Sequence, residues 1–110
     1  DSVLKEITYI INLSRSKFVV AEDQEQCDKI LDMIDEMPSV EHIIHHDPKG
    51  MRTYDDPKLL YFPEVEKKGR DYEKEHPGFF EEQVEATSEN DVAAICTTSG
   101  TTGNPKLSLL

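Results

Sequence analysis

Apolar residues recur at helical spacing in two stretches near the start of the chain, and each stretch predicts a helix with one buried face. Ser2 is placed to cap the first helix, which we expect to extend to Asn12. Asp23 is placed to cap the second helix, with Gln26 three residues later, as in a capping box. Pro38 ends the second helix. The predicted buried faces consist of Val3, Leu4, Ile7, Ile10 and Ile11 in the first helix, and of Cys27, Ile30, Leu31, Ile34 and Met37 in the second.

Short runs of β-branched, aliphatic and aromatic residues on either side of the second helix predict strands at residues 17–21 and 40–45. A strand, a helix and a strand within about 30 residues form a βαβ unit. The two strands should therefore be parallel, with a right-handed crossover. A third short strand is predicted at residues 59–62, after turn signals at residues 47–50 and 55–57.

The second half of the chain is more polar. Residues 63–75 carry acidic and basic side chains near helical spacing, with Pro63 in the first turn, and predict a solvated helix. The sequence His-Pro-Gly at residues 76–78 breaks this helix, and a further short helix follows. That short helix is anchored by Phe79, Phe80, Val84 and Ala86. A polar loop at residues 88–91 then leads into an apolar run at residues 92–96, which predicts a buried strand.

Acidic residues dominate the charge of the chain. They outnumber lysine and arginine by 23 to 12, which gives a formal net charge of −11. Such a segment repels nucleic acid and anionic membranes, so we expect neither as its partner. The sequence contains no apolar run of about 18 residues and no basic-then-apolar leader, so no membrane span or signal peptide is expected. Cys27 and Cys96 stand alone in the sequence, and we interpret them as reduced thiols of a cytoplasmic protein.

The last predicted strand leads into a run rich in glycine and hydroxyl residues, Thr97-Thr98-Ser99-Gly100-Thr101-Thr102-Gly103-Asn104-Pro105-Lys106. Glycines let backbone N–H groups approach a ligand closely, and hydroxyls are short donors for phosphate oxygens. Lys106 adds a compact positive charge. The run is not a Walker loop, because its glycines are too close together and Asn-Pro precedes the lysine. A flexible linker is the alternative for this composition, but the preceding strand and the following Pro-Lys favour a phosphate-binding loop.

Residues 98–106 resemble the signature loop of the adenylate-forming superfamily, which comprises acyl-CoA synthetases, luciferases and the adenylation domains of peptide synthetases. They match its Thr-Ser-Gly-Thr-Thr-Gly-x-Pro-Lys pattern throughout. Thr97 stands where an aromatic residue is common and Leu107 where a glycine is common, and neither change removes a glycine, hydroxyl or lysine of the loop. Residues 17–26, Lys-Phe-Val-Val-Ala-Glu-Asp-Gln-Glu-Gln, are similar to the long-chain fatty acyl-CoA synthetases within that superfamily.

The pattern and the resemblance together imply an α/β fold. We expect a partial αβ sandwich that contains the βαβ unit and ends in a strand–phosphate loop–strand hairpin, with residues 107–110 returning beside residues 92–96. Because members of the superfamily are several times longer, residues 1–110 are expected to be a fragment of the N-terminal AMP-binding domain. That fragment would end just after the loop at residues 97–106, and the remainder of the enzyme would be needed for activity.

The resemblance also implies an activity for the parent enzyme. It would use ATP and Mg²⁺ to activate a long-chain fatty acid as an acyl-adenylate and would then transfer the acyl group to coenzyme A. The implied ATP phosphate-binding residues are Thr98, Ser99, Gly100, Thr101, Thr102, Gly103 and Lys106. No catalytic residue and no metal ligand is expected within the fragment, which alone should be inactive. Two alternatives stay open: another carboxylic acid, such as an aryl or amino acid, and a non-catalytic module that binds nucleotide phosphates. The parent is expected in the cytoplasm, with the membrane periphery as a second location.

Other side chains could carry chemistry, but the sequence favours a structural role for each. The clustered histidines are His42, His45 and His46. Histidines one or three residues apart point to opposite faces of a strand, so a shared metal site is not predicted. The carboxylate pairs Asp55-Asp56 and Glu81-Glu82 are interpreted as solvated surface, because neighbours in sequence rarely converge on one substrate atom. Cys96 adjoins the loop within an apolar strand, which favours a small core residue over a nucleophile.

Overall fold

The computed structural model describes residues 2–98 and 106–109 of the chain. Helices and a three-stranded sheet make up most of this length, and a two-stranded sheet follows them. In chain order the elements are α1 Ser2–Ser14, β1 Phe18–Ala21, α2 Gln24–Asp32, β2 His42–His45, β3 Leu59–Tyr61, α3 Phe62–Glu75, α4 Phe79–Ala86, β4 Ile95–Thr98 and β5 Lys106–Leu109. A short 3₁₀ helix, Ile34–Glu36, follows α2. The predicted mixed α/β fold is therefore confirmed.

Strands β1, β2 and β3 form a parallel sheet with β2 in the centre. Val19 of β1 lies opposite Ile43 of β2, which lies opposite Leu59 of β3. The parallel pairing predicted for the βαβ unit is confirmed. The parallel addition of β3 was not predicted, because residues 46–58 connect β2 to β3 without a helix.

The core lies on one face of this sheet, under α1, α2 and the 3₁₀ turn. Ile43 at the centre of β2 has no exposed surface, and Met37 after the 3₁₀ helix is 1% exposed. The other buried apolar residues of this cluster are Ile11, Ala21, Cys27, Ile30, Val40 and Met51. Alternate residues of β1 point the other way, and there Phe18 is 56% and Val20 65% exposed. Among the described residues, one face of the sheet is therefore covered, whereas the other face is exposed at β1.

The start of α2 is as predicted, but its end is not. The carboxylate of Asp23 caps α2 by accepting the N–H of Gln26, with 3.1 Å between Oδ1 and N. The predicted continuation towards Pro38 was wrong, because α2 ends at Asp32 and the chain tightens into the 3₁₀ helix. The Met33 N–H turns back to the Ile30 carbonyl at this point, so Met37 reaches the core from a turn.

The first helix differs from the prediction in a similar way. Helix α1 begins at Ser2 itself, one position earlier than a helix that Ser2 would precede as a cap, and the predicted cap by the Ser2 side chain lies outside what the structure describes. The helix extends to Ser14, whose hydroxyl donates to the Ile10 carbonyl at 2.9 Å. This is a local bond from a side chain to the carbonyl four residues earlier, in the last turn of the helix.

Helices α3 and α4 form a largely exposed pair after the sheet. Helix α3 begins at Phe62, one residue before the predicted start, and Pro63 lies in its first turn as expected. The ring of Tyr72 meets the edge of Phe79, with 5.0 Å between centroids, and this contact joins the two helices. Among the described residues, none of the helices combines the length and the apolar character that crossing a bilayer requires.

Strand β4 was predicted three residues too early and was wrongly predicted to be buried. It covers Ile95–Thr98 and not residues 92–96, and Ile95 is 46% exposed. Cys96 is likewise exposed, so its assignment to the core was wrong. The reason is that, within residues 2–98 and 106–109, β4 pairs with β5 alone, and an isolated two-stranded sheet leaves its faces uncovered. The β-branched Thr97 and Thr98 suit an extended backbone, which explains the later end of the strand.

Candidate functional site

Strands β4 and β5 form the antiparallel hairpin that was predicted around the glycine-rich run. Cys96 lies opposite Ser108, and Thr97 lies opposite Leu107. The last pair of the ladder joins Thr98, at the end of β4, to Lys106, at the start of β5. Opposite residues of an antiparallel pair have Cα atoms about 4.5–5.5 Å apart. The backbones of Thr98 and Lys106 are therefore neighbours although seven residues separate them along the chain.

Most of the predicted phosphate-binding residues lie between these two positions. Thr98 and Lys106 are the ones that the structure describes, both as strand residues. The run at residues 99–105 lies outside the described residues, and it includes the predicted ligands Ser99, Gly100, Thr101, Thr102 and Gly103. The hairpin brings the threonine and the lysine of the predicted set together at its end.

The segment leading into β4 lies beside the C-terminal half of α1. An open cleft of about 570 Å³ separates the two, and Ile10, Ser14, Ser16, Ala94, Ile95 and Thr97 are among the residues that line it. The hydroxyls of Ser14 and Ser16 are 2.7 Å apart and therefore satisfy one another. Helix α1 thus forms one wall of this cleft, and the two serine hydroxyls in its lining already pair with each other.

A second group of polar side chains collects at the carboxyl edge of the parallel sheet. His45 ends β2 and Tyr61 ends β3, and the register places them opposite one another. Their rings stack with 5.3 Å between centroids and 23° between planes. His45 is only 7% exposed, and its Nδ1 lies 3.4 Å from the Asp47 carbonyl. These rings form one wall of an open cavity of about 370 Å³, which we call the edge cleft; its lining includes His45, Met51, Asp55, Leu59, Tyr61 and Glu64.

The loop at residues 46–58 closes over this edge and is held by α2. Tyr54 donates its hydroxyl hydrogen to Asp28, with 2.6 Å between Oη and Oδ1, and accepts one from Gln24 at 3.1 Å. The bond to Asp28 raises the pKa of the Tyr54 hydroxyl, and the bond from Gln24 acts in the opposite direction. Gly50 adopts φ = +77° directly over the Gln24 side chain, where a Cβ would overlap the amide.

The histidines do not form a metal site in the described part of the chain. His45 is buried at the carboxyl end of β2, and His42, at its other end, stacks against Phe18 on the opposite face. Within residues 2–98 and 106–109, no three or more His, Cys, Asp or Glu side chains are grouped to hold a metal ion. Asp55, Glu81 and Glu82 are exposed, in agreement with their interpretation as solvated surface. Asp56 differs, because it is half-buried and its carboxylate accepts the Lys58 N–H at 2.9 Å.

Sequence reasoning missed the edge cleft. It treated His45 as an ordinary residue at a strand end and left residues 51–54 without an assignment. The available signal was the pair of strand ends at His45 and Tyr61, because the carboxyl ends of neighbouring parallel strands meet at one edge. This signal is useful only when β2 is known to pair with β3, and the sequence pattern did not predict that pairing.

Comparison with known proteins identifies the family to which the chain belongs. The family model for AMP-binding enzymes matches residues 1–110. A comparison with curated protein sequences gives no significant match. The family match covers the whole length of the chain and includes both the parallel sheet and the hairpin around the glycine-rich run. The chain therefore belongs to the AMP-binding enzyme family, within the adenylate-forming superfamily.

Proposed function

We propose that this chain is part of an ATP-dependent acid–CoA ligase that activates a long-chain fatty acid. Residues 1–110 would be a fragment of the N-terminal AMP-binding domain and would end just after the phosphate loop at residues 97–106. Membership of the AMP-binding enzyme family supports adenylate chemistry. The similarity of residues 17–26 to long-chain fatty acyl-CoA synthetases supports the choice of acid.

The observation that carries the proposal is the pairing of Thr98 with Lys106. It joins the two ends of a run that contains two glycines and three further hydroxyl residues, Ser99, Thr101 and Thr102. Backbone N–H groups, hydroxyls and one ammonium group are the donors that phosphate oxygens accept. This donor set fits a triphosphate, and it would not fit an uncharged ligand equally well.

Each member of the set would have a defined task. The hydroxyls and backbone N–H groups of Thr98, Ser99, Gly100, Thr101, Thr102 and Gly103 would hold the β- and γ-phosphates. Lys106 would supply positive charge where negative charge accumulates on the leaving pyrophosphate. Mg²⁺, held by phosphate oxygens, would neutralise further charge when bound.

The proposed reaction has two steps. In the first, a carboxylate oxygen of the acid attacks the α-phosphorus of ATP, the bond to the bridging oxygen breaks, and pyrophosphate leaves. In the second, the sulfur of coenzyme A attacks the acyl carbon and AMP leaves. A carboxylate is a weak nucleophile, so the loop contributes by holding the phosphates in line for attack. The parts of the enzyme that bind adenine, ribose and the acyl chain would lie outside residues 1–110.

The test of this proposal is ATP–pyrophosphate exchange catalysed by the complete enzyme with a panel of acids. We expect palmitate to support exchange at least about tenfold faster than benzoate or phenylalanine, because an enzyme specific for long-chain fatty acids would bind the alkyl chain of palmitate and not these smaller acids. Faster exchange with the aryl or amino acid would contradict the fatty-acid assignment. Absence of exchange with every acid, although Mg-ATP binds, would instead support a non-catalytic phosphate-binding module.

We further propose a cytoplasmic location, where ATP and coenzyme A are available. A long-chain fatty acid dissolves better in a bilayer than in water, so an enzyme acting on it would also work at the membrane surface. Fractionation of cells that express the complete enzyme would test this. Recovery in both the soluble and the washed membrane fractions is expected, and recovery in a secreted fraction would contradict the proposal.

A further inference from the structure

The edge cleft lies where ligands of parallel α/β sheets commonly bind, outside the carboxyl ends of the strands. His45 and Tyr61 end two adjacent strands and reach the same cavity. The volume of about 370 Å³ is within the range of small-ligand pockets, which begins near 300 Å³. Strands β4 and β5, which flank the proposed phosphate loop, form the other sheet, and the edge cleft is lined by residues between His45 and Glu64.

The wall of the edge cleft is a pair of stacked rings with unused polar atoms. His45 is more than nine-tenths buried, and its Nδ1 is directed to the Asp47 carbonyl. Its Nε2 has no hydrogen-bond partner among residues 2–98 and 106–109, and the same holds for the hydroxyl of Tyr61. This nitrogen is not among the buried atoms without a partner, a class that includes His42 Nδ1, so it has accessible surface, and a ligand in the cavity can reach it. Tyr61, whose ring stacks on His45, is an aromatic residue with an electron-rich face in the lining of the cavity beside it.

The rim of the edge cleft is acidic. Asp55, Asp56 and Glu64 line it, and Arg52 is the cation among its lining residues. In the described part of the chain, the ion pairs within 4.0 Å join Lys29 to Glu25 and Lys67 to Asp71. The carboxylates of the rim therefore have no ion-pair partner among the described residues. With a formal net charge of −11 on the chain, the surrounding field also attracts cations.

A planar organic cation meets all these features better than a metal ion does. No described group of three or more potential metal ligands is present at the cleft. A guanidinium group stacks flat on aromatic rings and donates forked hydrogen bonds to carboxylates, which an ammonium group cannot do. Tyr61 supplies the ring, and Asp55 and Glu64 supply the carboxylates.

We propose that the edge cleft is a binding site for a guanidinium-bearing ligand, which stacks on Tyr61 and is held by Asp55 and Glu64. The guanidinium group could belong to a small molecule or to an arginine of another protein. A capped single arginine and a ten-residue peptide with one central arginine distinguish these sources. Equal affinities identify a small ligand, whereas a peptide that binds about tenfold more tightly identifies a protein segment.

The test follows backbone amide signals of the full chain by NMR while N-acetyl-arginine amide is added at low salt. We expect saturable shifts at Asp55, Tyr61 and Glu64. N-acetyl-citrulline amide has the same shape without the charge, and we expect it to bind at least about fivefold more weakly. Equal shifts with both compounds, or no shifts at these residues, would overturn the proposal.

Three variants sharpen the test. Glu64→Gln should weaken arginine-amide binding about fivefold, whereas Glu75→Gln, which removes the same charge at the far end of α3, should change it less than about twofold. Arg52→Gln removes the like charge from the rim and should strengthen binding about twofold. All three residues are exposed, so the variants should fold. A carboxylate-bound guanidinium would be contradicted if the two glutamate variants weakened arginine-amide binding equally. It would also be contradicted if Arg52→Gln bound the arginine amide more weakly than wild type does.

Discussion

Tyr54 and Asp28 join the loop over the sheet edge to the face of α2, with 2.6 Å between the phenolic oxygen and the carboxylate. The two residues lie 26 positions apart along the chain, so this bond fixes a long-range arrangement. A phenol that donates to a carboxylate holds its proton more firmly. This bond is the main reason that the pKa of Tyr54 is raised above its ordinary value of about 10.

Replacing Tyr54 with phenylalanine removes the bond and should lower the unfolding temperature at neutral pH. The pKa of Tyr54 is raised in the folded state, so its stabilising effect is complete below about pH 10 and is lost as the pH rises through the folded-state pKa. The difference in stability between wild type and Tyr54→Phe should therefore shrink in alkaline buffer. Thermal unfolding monitored by circular dichroism near neutral pH and above about pH 10 measures it. Tyr9→Phe, on the exposed side of α1, is the control, and an equal effect of both variants would contradict this role.

Gly50 and Gly69 should respond in opposite directions to replacement by alanine. Gly50 has φ = +77° and a Cβ there would displace the Gln24 side chain, so Gly50→Ala should cost about 1–2 kcal/mol. Gly69 lies within α3 with no atom within 4 Å of a Cβ, so Gly69→Ala should stabilise by about 0.5–1 kcal/mol. Urea unfolding of both variants gives the two free energies. If Gly50→Ala were as stable as wild type, the description of the loop over α2 would be wrong.

The two cysteines should differ sharply in their reactivity towards a thiol reagent. Both are free, but Cys27 is fully buried and Cys96 is exposed. Burial raises the pKa of the Cys27 thiol, with Asp28 and Asp23 adding to the effect, so little reactive thiolate forms there. Mass spectrometry after brief N-ethylmaleimide treatment should find one modification, at Cys96, and a second only in denaturant. Modification of Cys27 at the same rate as Cys96 in the native protein would contradict the buried core.

Lys106→Ala in the complete enzyme should slow formation of the acyl-adenylate and leave binding of the acid almost unchanged. The lysine is proposed to act on charge that develops during attack, so its loss should lower the rate of the first step about a hundredfold. Rapid-quench measurement of adenylate formation, with the concentration of acid varied, separates rate from affinity. An equal loss in both quantities would count against the proposed role.

Sequence pattern predicted the local elements of this chain better than their packing. The helix around Cys27 and Ile30 and the strand around Ile43 were found because their apolar periodicity is strong. The cap by Asp23 was found because capping depends on neighbouring residues. The end of α2 at Asp32 was missed because Ile34 and Met37 continue the helical spacing although they reach the core from a 3₁₀ turn.

The pattern of apolar and polar residues did not predict the contacts between distant segments. The apolar character of Ile95 and Cys96 suggested burial, but exposure depends on the layers around a strand, and β4 pairs with β5 alone in the described part of the chain. The edge cleft depends on the parallel pairing of His45 with Tyr61, and no pattern of neighbouring residues predicts that pairing. The hairpin was predictable because the resemblance of residues 98–106 to a known loop carries long-range information that periodicity lacks.

The most direct test of the central claim is a titration of the chain with Mg-ATP and, separately, with AMP, followed through the backbone amide signals of residues 98–106. If the hairpin of β4 and β5 holds the end of a triphosphate, Mg-ATP should shift these signals and AMP, which lacks the β- and γ-phosphates, should shift them much less. Lys106→Ala should weaken Mg-ATP binding, whereas Lys49→Ala, which removes an equal charge from the loop over the sheet edge, should not. Equal responses to ATP and AMP, or equal effects of the two lysine variants, would contradict the assignment of this loop to the phosphates.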